Sequence, residues 1–195
     1  PDIYISNSVL NKHTQSYNYV MDKIHLHCQN MHRSRETRKE EGFISQINTI
    51  NNLQDYACNR VSDQTFKSMN NTAVAIVGAG PSLETSINIL STYRDKIIIL
   101  AVDSALKNLH TEGISPDGTV SIDAQKFCKS NISEGMNPGL LFLSTKSPRD
   151  WSLNGNQTLF LSSNSLTEDW LAKEGLEKSS INCIANCGVT ALNIA

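Results

Sequence analysis

The stretch Thr72-Ala73-Val74-Ala75-Ile76-Val77-Gly78-Ala79-Gly80-Pro81-Ser82-Leu83 decides the fold. Its apolar run continues unbroken from Ala73 to Val77 and stops at Gly78. A strand with one wet face alternates apolar and polar side chains, whereas an unbroken run suits a strand buried on both faces, as in a parallel sheet covered by helices. The two glycines then permit a tight turn, and Ser82 to Tyr93 reads as a helix.

Downstream the alternation repeats. Lys96 to Val102 reads as a second strand, Ala105 to Glu112 as a helix and Gly118 to Ile122 as a third strand. Further strands are expected at Leu140 to Ser144 and Thr158 to Leu161, and a helix at Thr167 to Glu174. Ser180 to Ala185 reads as another strand, which feeds a turn at Asn186, Cys187 and Gly188 and a last helix. Buried strands alternating with helices make βαβ units with right-handed crossovers. The expected class is therefore α/β: a Rossmann-like three-layer domain with a mostly parallel sheet, preceded by a helical N-terminal segment.

Upstream, Tyr17, Val20, Met21, Ile24, Cys28 and Met31 have the spacing of an amphipathic helix. The mixed-sign charges from Arg33 to Glu41 read as a solvated linker. Phe43, Ile47, Ile50, Leu53 and Ala57 then resume the helical spacing to about Asp63. Residues 1–70 are expected as a helical lead-in and residues 71–195 as the α/β domain. The chain starts at Pro1 and stops at Ala195 inside an apolar, helix-like run, so it reads as a piece of a longer protein with the domain truncated at its C-terminus.

A length of 195 residues allows one domain with a smaller attached piece. With 39% hydrophobic and 18% charged residues, the composition is globular. A net charge of -2 offers no polybasic surface, so nucleic acid is not expected as a partner. No segment is apolar enough to span a membrane, and the widely spread cysteines, five in all, suit a reducing, cytoplasmic location. His25, Cys28 and His32 would share one helical face, but a metal there lacks a supporting carboxylate pattern.

Ligands of open α/β sheets bind outside the carboxyl ends of the strands. After the first strand, Gly78 and Gly80 allow close backbone approach, and the start of the helix at Pro81, Ser82 and Leu83 can present amides to a phosphate. A third glycine, required by the dinucleotide fingerprint, is replaced by Leu83, and no Walker lysine follows. Asp103 closes the second strand, suited either to a ribose hydroxyl or to capping the next helix. Asp123 ends the third strand, where a carboxylate can serve a divalent cation or an acceptor hydroxyl, or simply a turn. Asn186, Gly188 and Thr190 stand at another helix start, fit either to close over a base, ribose or sugar or to cap the helix.

The motifs Ala75 to Leu83, Ala101-Val102-Asp103-Ser104-Ala105-Leu106, Gly113 to Asp117 and Ser121-Ile122-Asp123 resemble, in order and spacing, the central domain of bacterial motility accessory factors. That domain family also includes archaeal hydroxymethyl-dihydropterin diphosphokinases. The likeness covers about Phe43 to Ala195, and the helical lead-in is similar to that of the motility factors. It implies a sialyltransferase-like domain that binds a nucleotide, with Ser104 joining Asp103 in the binding set. It also implies transfer of a nonulosonic acid, pseudaminic or legionaminic, from a CMP-sugar donor to Ser or Thr of flagellin; Asp123, at a strand's carboxyl end beside the expected phosphate, is the residue expected to be catalytic. The other branch implies ATP, a pterin and Mg²⁺ held by acidic residues such as Asp103 or Asp123; a non-catalytic nucleotide-binding module is the third reading.

Overall fold

The computed structural model describes residues 13–62, 65, 72–133, 135–154 and 156–195. The chain divides into two compact units, residues 1–43 and 44–195. The expected end of the lead-in at residue 70 lies outside the described residues, but the stretch from Ile44 to Ser62 belongs to the same unit as the sheet.

Helix α1, Thr14–Asn51, runs without interruption through the charged stretch that the sequence suggested as a linker. Arg, Lys and Glu are strong helix formers, and Lys39 pairs with Glu36 one turn away at 2.8 Å. Gly42 costs a helix interior only about 1 kcal/mol, too little to break it. Helix α2, Leu53–Asn59, follows directly and buries Tyr56.

The sheet has strands β1 (Ala73–Val77), β2 (Ile97–Val102), β3 (Gly118–Ser121), β4 (Leu140–Ser144) and β5 (Thr158–Leu161), in the order β1-β2-β3-β4-β5. Every pairing is parallel, with Ala75 opposite Ile99, Ala101 opposite Thr119 and Val120 opposite Phe142. The parallel three-layer α/β expectation is met. Among the described strands the order never reverses.

Side-chain alternation divides each strand between two cores. Ile99, Ala101, Leu141, Leu143 and Phe160 face helices α3 (Ser82–Thr92) and α4 (Leu106–Thr111), Trp151, and Tyr56, whose ring meets Phe160 edge to face at 6.4 Å. Leu100, Val120, Phe142 and Leu161 face the opposite way, onto Ala191 and Ile194 of helix α7 (Cys187–Ile194). Helix α5 (Cys128–Asn131) and helix α6 (Leu166–Lys173) are the remaining α-helices among the described residues.

One expected strand is absent. Ser180 to Ala185 makes only an isolated bridge, Asn182 beside Ser162, with Ser162 N donating to the Ile181 carbonyl. Ala185 takes the left-handed conformation (φ 45°), and the Thr190 hydroxyl clamps Ile184 through both its N–H and its carbonyl, so the chain turns into α7 instead of continuing along β5.

Gly113 to Asp117 has a structural role at the amino end of the sheet. Asp117 accepts from Ile99 N at 2.8 Å and takes a bidentate grip from Arg94. Gly139, at φ 67°, passes so close to the Asp117 carbonyl that no side chain fits there.

Candidate functional site

The carboxyl ends of five parallel strands form one polar rim. After β1 the turn Gly78-Ala79-Gly80-Pro81-Ser82 is exposed. Neither glycine has a positive φ; a Cβ added at Gly78 would meet nothing within 4 Å, and one at Gly80 would meet only Ser82 Oγ at 3.9 Å. The fold itself therefore does not require glycine at either position, and the space above the turn is open. Pro81 precedes α3 without a side-chain cap, and Ser82 is exposed, its carbonyl accepting from the Thr85 and Ser86 hydroxyls. Leu83 points inward, buried in the core, and its N–H closes the turn onto the Gly80 carbonyl.

After β2, Asp103 is 1% exposed. Its Oδ1 accepts from Ser104 N (2.6 Å) and Lys126 Nζ (3.0 Å), and its Oδ2 accepts from Ser121 Oγ at 2.9 Å and lies 3.8 Å from Cys187 Sγ. The carboxylate thus ties the ends of β2 and β3 to the start of α7. Ser104 itself is exposed beside it. Burial pulls the Lys126 ammonium toward a lower pKa, but the hydrogen bond and charge of Asp103 outweigh it, and the net direction is upward. Burial pushes the Cys187 thiol up to about 11 and the Cys183 thiol up to about 12, so both are protonated at neutral pH.

Asp123, half-buried after β3, accepts from Gln125 N at 2.9 Å, an Asx turn that aims the loop. That loop is pinned from several sides. Asn48 of α1 donates to the carbonyls of Ala124 (3.0 Å) and Lys146 (2.9 Å), and the indole of buried Trp151 donates to the Lys126 carbonyl at 2.7 Å. Asn52, buried, holds the carbonyls of Thr145 and Ser147, and Ser147 Oγ donates to the Ser121 carbonyl. After β5, the 1%-exposed Glu168 collects Thr145 Oγ1, Ser162 Oγ, the amide and hydroxyl of Ser163, and Ser165 N. Ser165 and Glu168 form a capping box at the start of α6.

At α7, Asn186 caps the helix by accepting from Val189 N at 3.0 Å, and Gly188 sits behind that cap. Thr190 is fully buried, and its hydroxyl is spent on Ile184. The structure thus brings Asp103, Ser104, Asp123 and the α7 start to one rim with the open glycine turn, and turns Leu83 and Thr190 into the core. Lys126, Ser121, Glu168, Asn48 and Asn52 are additions that sequence reasoning did not single out; the amide clamps join residues far apart in the chain, and no local pattern marks them. Among the described residues no group of three or more His, Cys, Asp or Glu can hold a metal, so His25, Cys28 and His32 do not gather as one. Among the same residues, no helix is long and apolar enough to cross a membrane.

The family model of 6-hydroxymethylpterin diphosphokinase MptE-like proteins matches residues 43–195. The chain belongs to the MptE-like family. The matched span of this MptE-like chain begins in the last part of α1, before the sheet, and takes in Asn48 and Asn52. The MptE-like domain shares its fold with the MAf glycosyltransferase of Magnetospirillum magneticum AMB-1, at a TM-score of 0.56 and 18% identity over 77% of this chain and 25% of that one. An uncharacterized protein of Treponema pallidum (strain Nichols) is 44% identical over 54 residues, which is 28% of this chain and 26% of that protein. Each match therefore spans about a quarter of the relative's length.

Proposed function

We propose that the rim binds a nucleotide-activated sugar and that the domain belongs to a glycosyltransferase. The observation that carries this reading is the open glycine turn after β1 on the same rim as a carboxylate, Asp123, which follows β3 two strands along and is held by a pinned loop. The family match and the fold shared with a glycosyltransferase support it. In the finer form of the proposal, a nonulosonic acid passes from its CMP-linked donor to a Ser or Thr hydroxyl of flagellin. The amides of the turn and the start of α3 take the phosphate, and Asp123 accepts the proton of the attacking hydroxyl.

The diphosphokinase alternative requires Mg²⁺ held by carboxylates. Asp103 fits that task poorly, because its Oδ1 already accepts from Ser104 N and Lys126 and its Oδ2 from Ser121.

Thermal shift with CMP, with ATP plus Mg²⁺ and with each base's monophosphate tests the proposal. Stabilisation by CMP in preference to ATP supports it; stabilisation by ATP plus Mg²⁺ alone favours the diphosphokinase, and no shift with any nucleotide overturns the nucleotide reading.

A further inference from the structure

We infer that Lys126 is the cation that receives the phosphate of the nucleotide bound at the rim, an assignment that rests on the nucleotide reading above. The geometry of its loop motivates it. An ordinary surface lysine is loosely held and its ion pairs contribute little to stability. Here the backbone of Lys126 is fixed by the Trp151 indole at 2.7 Å, and the backbone of Ala124, two residues earlier, is fixed by Asn48 at 3.0 Å. The side chain is fixed too, by Asp103 at 3.0 Å, yet it stays 40% exposed at the strand ends. One of the ammonium's three N–H groups goes to Asp103. Among the described residues no other acceptor bonds to it, so the remaining N–H groups are available to a ligand.

The pairing also places the charge well. Asp103 already accepts from Ser104 N and Ser121 Oγ, so the carboxylate is anchored without the lysine. Lys126 is thus held by a partner that will not move, beside the end of β2, and β2 pairs directly with the strand that ends in the open glycine turn. A phosphate lying over that turn toward Asp103 and Ser104 would meet the ammonium, which would otherwise leave the nearby carboxylates to repel it.

In transfer, the bond from the sugar's anomeric carbon to the phosphate oxygen breaks, and its electron pair stays on that oxygen. The acceptor oxygen bonds to the anomeric carbon, and its proton passes to Asp123. Lys126 donates a hydrogen bond to the phosphate as its charge grows and keeps its own proton, so it acts by charge and not as an acid.

Calorimetric titration of the full-length protein with CMP and with cytidine tests this in wild type, Lys126→Met, Lys126→Gln and Lys126→Arg. Removing the ammonium should weaken CMP about 10- to 100-fold, the range for a charge-assisted hydrogen bond, leave cytidine unchanged, and reduce the salt dependence of CMP binding. Lys126→Arg should recover most of the affinity. If both neutral variants fold, by their melting curves, and bind CMP as wild type does, the assignment is overturned while the nucleotide reading stands. Equal loss of CMP and cytidine would also overturn it, because Lys126 would then only shape the loop through Asp103. Should either neutral variant fail to fold, wild-type affinity in the other, or CMP affinity in Lys126→Arg as weak as in a folded neutral variant, would overturn it as well. A wild type that binds neither ligand would overturn both readings.

Discussion

Two buried carboxylates stand on the same rim, one at each side of the sheet, and they are satisfied in different ways. Glu168, beside β4 and β5, is surrounded by neutral donors: the hydroxyls of Thr145, Ser162 and Ser163 and the amides of Ser163 and Ser165. Asp103, beside β2 and β3, also has neutral donors, but one of its oxygens faces an ammonium that is 40% exposed. A buried charge must be compensated wherever it sits. The Glu168 arrangement is closed and completes a capping box, so it organises structure. The Asp103 arrangement leads from the interior to solvent through Lys126, so it organises a surface. The loops after β3 and β4 are fastened by Asn48 and Asn52 from the segment that the sequence suggested as a lead-in, so that segment is part of what positions the rim.

The contrast can be broken most forcefully at Asp123, on the open side. Asp123→Asn keeps the shape and the bond from Gln125 N, so folding should change by about 1 kcal/mol or less. Transfer by the full-length protein should fall about 100- to 10,000-fold if the carboxylate accepts the acceptor's proton. Full transfer with a much lower melting temperature would assign Asp123 to the turn alone.

The closed side should respond in stability. Glu168→Ala strands several buried hydroxyl and amide donors, at about 1 to 3 kcal/mol for each left unsatisfied, so a loss of about 3 kcal/mol or more is expected in urea unfolding. Glu168→Gln retains an acceptor and should recover much of it. Nucleotide affinity of the folded Glu168→Gln protein should match wild type; a drop as large as that expected for Lys126→Met would erase the distinction between the two carboxylates.

The smallest expected effect on the fold lies at the glycine turn. Space is open beyond Gly80, with Ser82 Oγ at 3.9 Å the nearest neighbour of an added Cβ. Gly80→Val should therefore shift stability by only about 0.5 kcal/mol, yet weaken nucleotide binding about tenfold by occupying the approach to the backbone. Unchanged affinity in the folded variant would remove the turn from the site.

Much of the fold could be read from local pattern. The unbroken run Ala73 to Val77 and its successors announced parallel strands; β2 is buried from Ile99 to Val102 as such a run predicts, whereas β1 ends the described sheet order and buries only Val77. The carboxyl-end rule then led to Gly78, Asp103 and Asp123 without any knowledge of contacts. Elsewhere the local chemistry is ambiguous. Charged residues from Arg33 to Glu41 are at home in a helix as well as in a linker, and the propensity of Arg, Lys and Glu carried α1 through. Ser180 to Ala185 had a strand's composition, but the Thr190 clamp on Ile184 and the left-handed Ala185 ended the pairing after a single bridge.

The sequence by itself determined the alternation of strands and helices, the parallel sheet and the line of polar residues just beyond the strand ends, because side-chain period and turn chemistry are local properties. Only the tertiary structure decided which of those residues stay at the rim and which are buried. It sent Leu83 and Thr190 into the core and bound Asp103 to Lys126 and Ser121 across neighbouring strand ends. It also recruited Asn48, Asn52 and Trp151 to hold the loops in place. Such contacts join residues far apart along the chain, and a hydrogen bond between distant residues leaves no period in the sequence from which to read it.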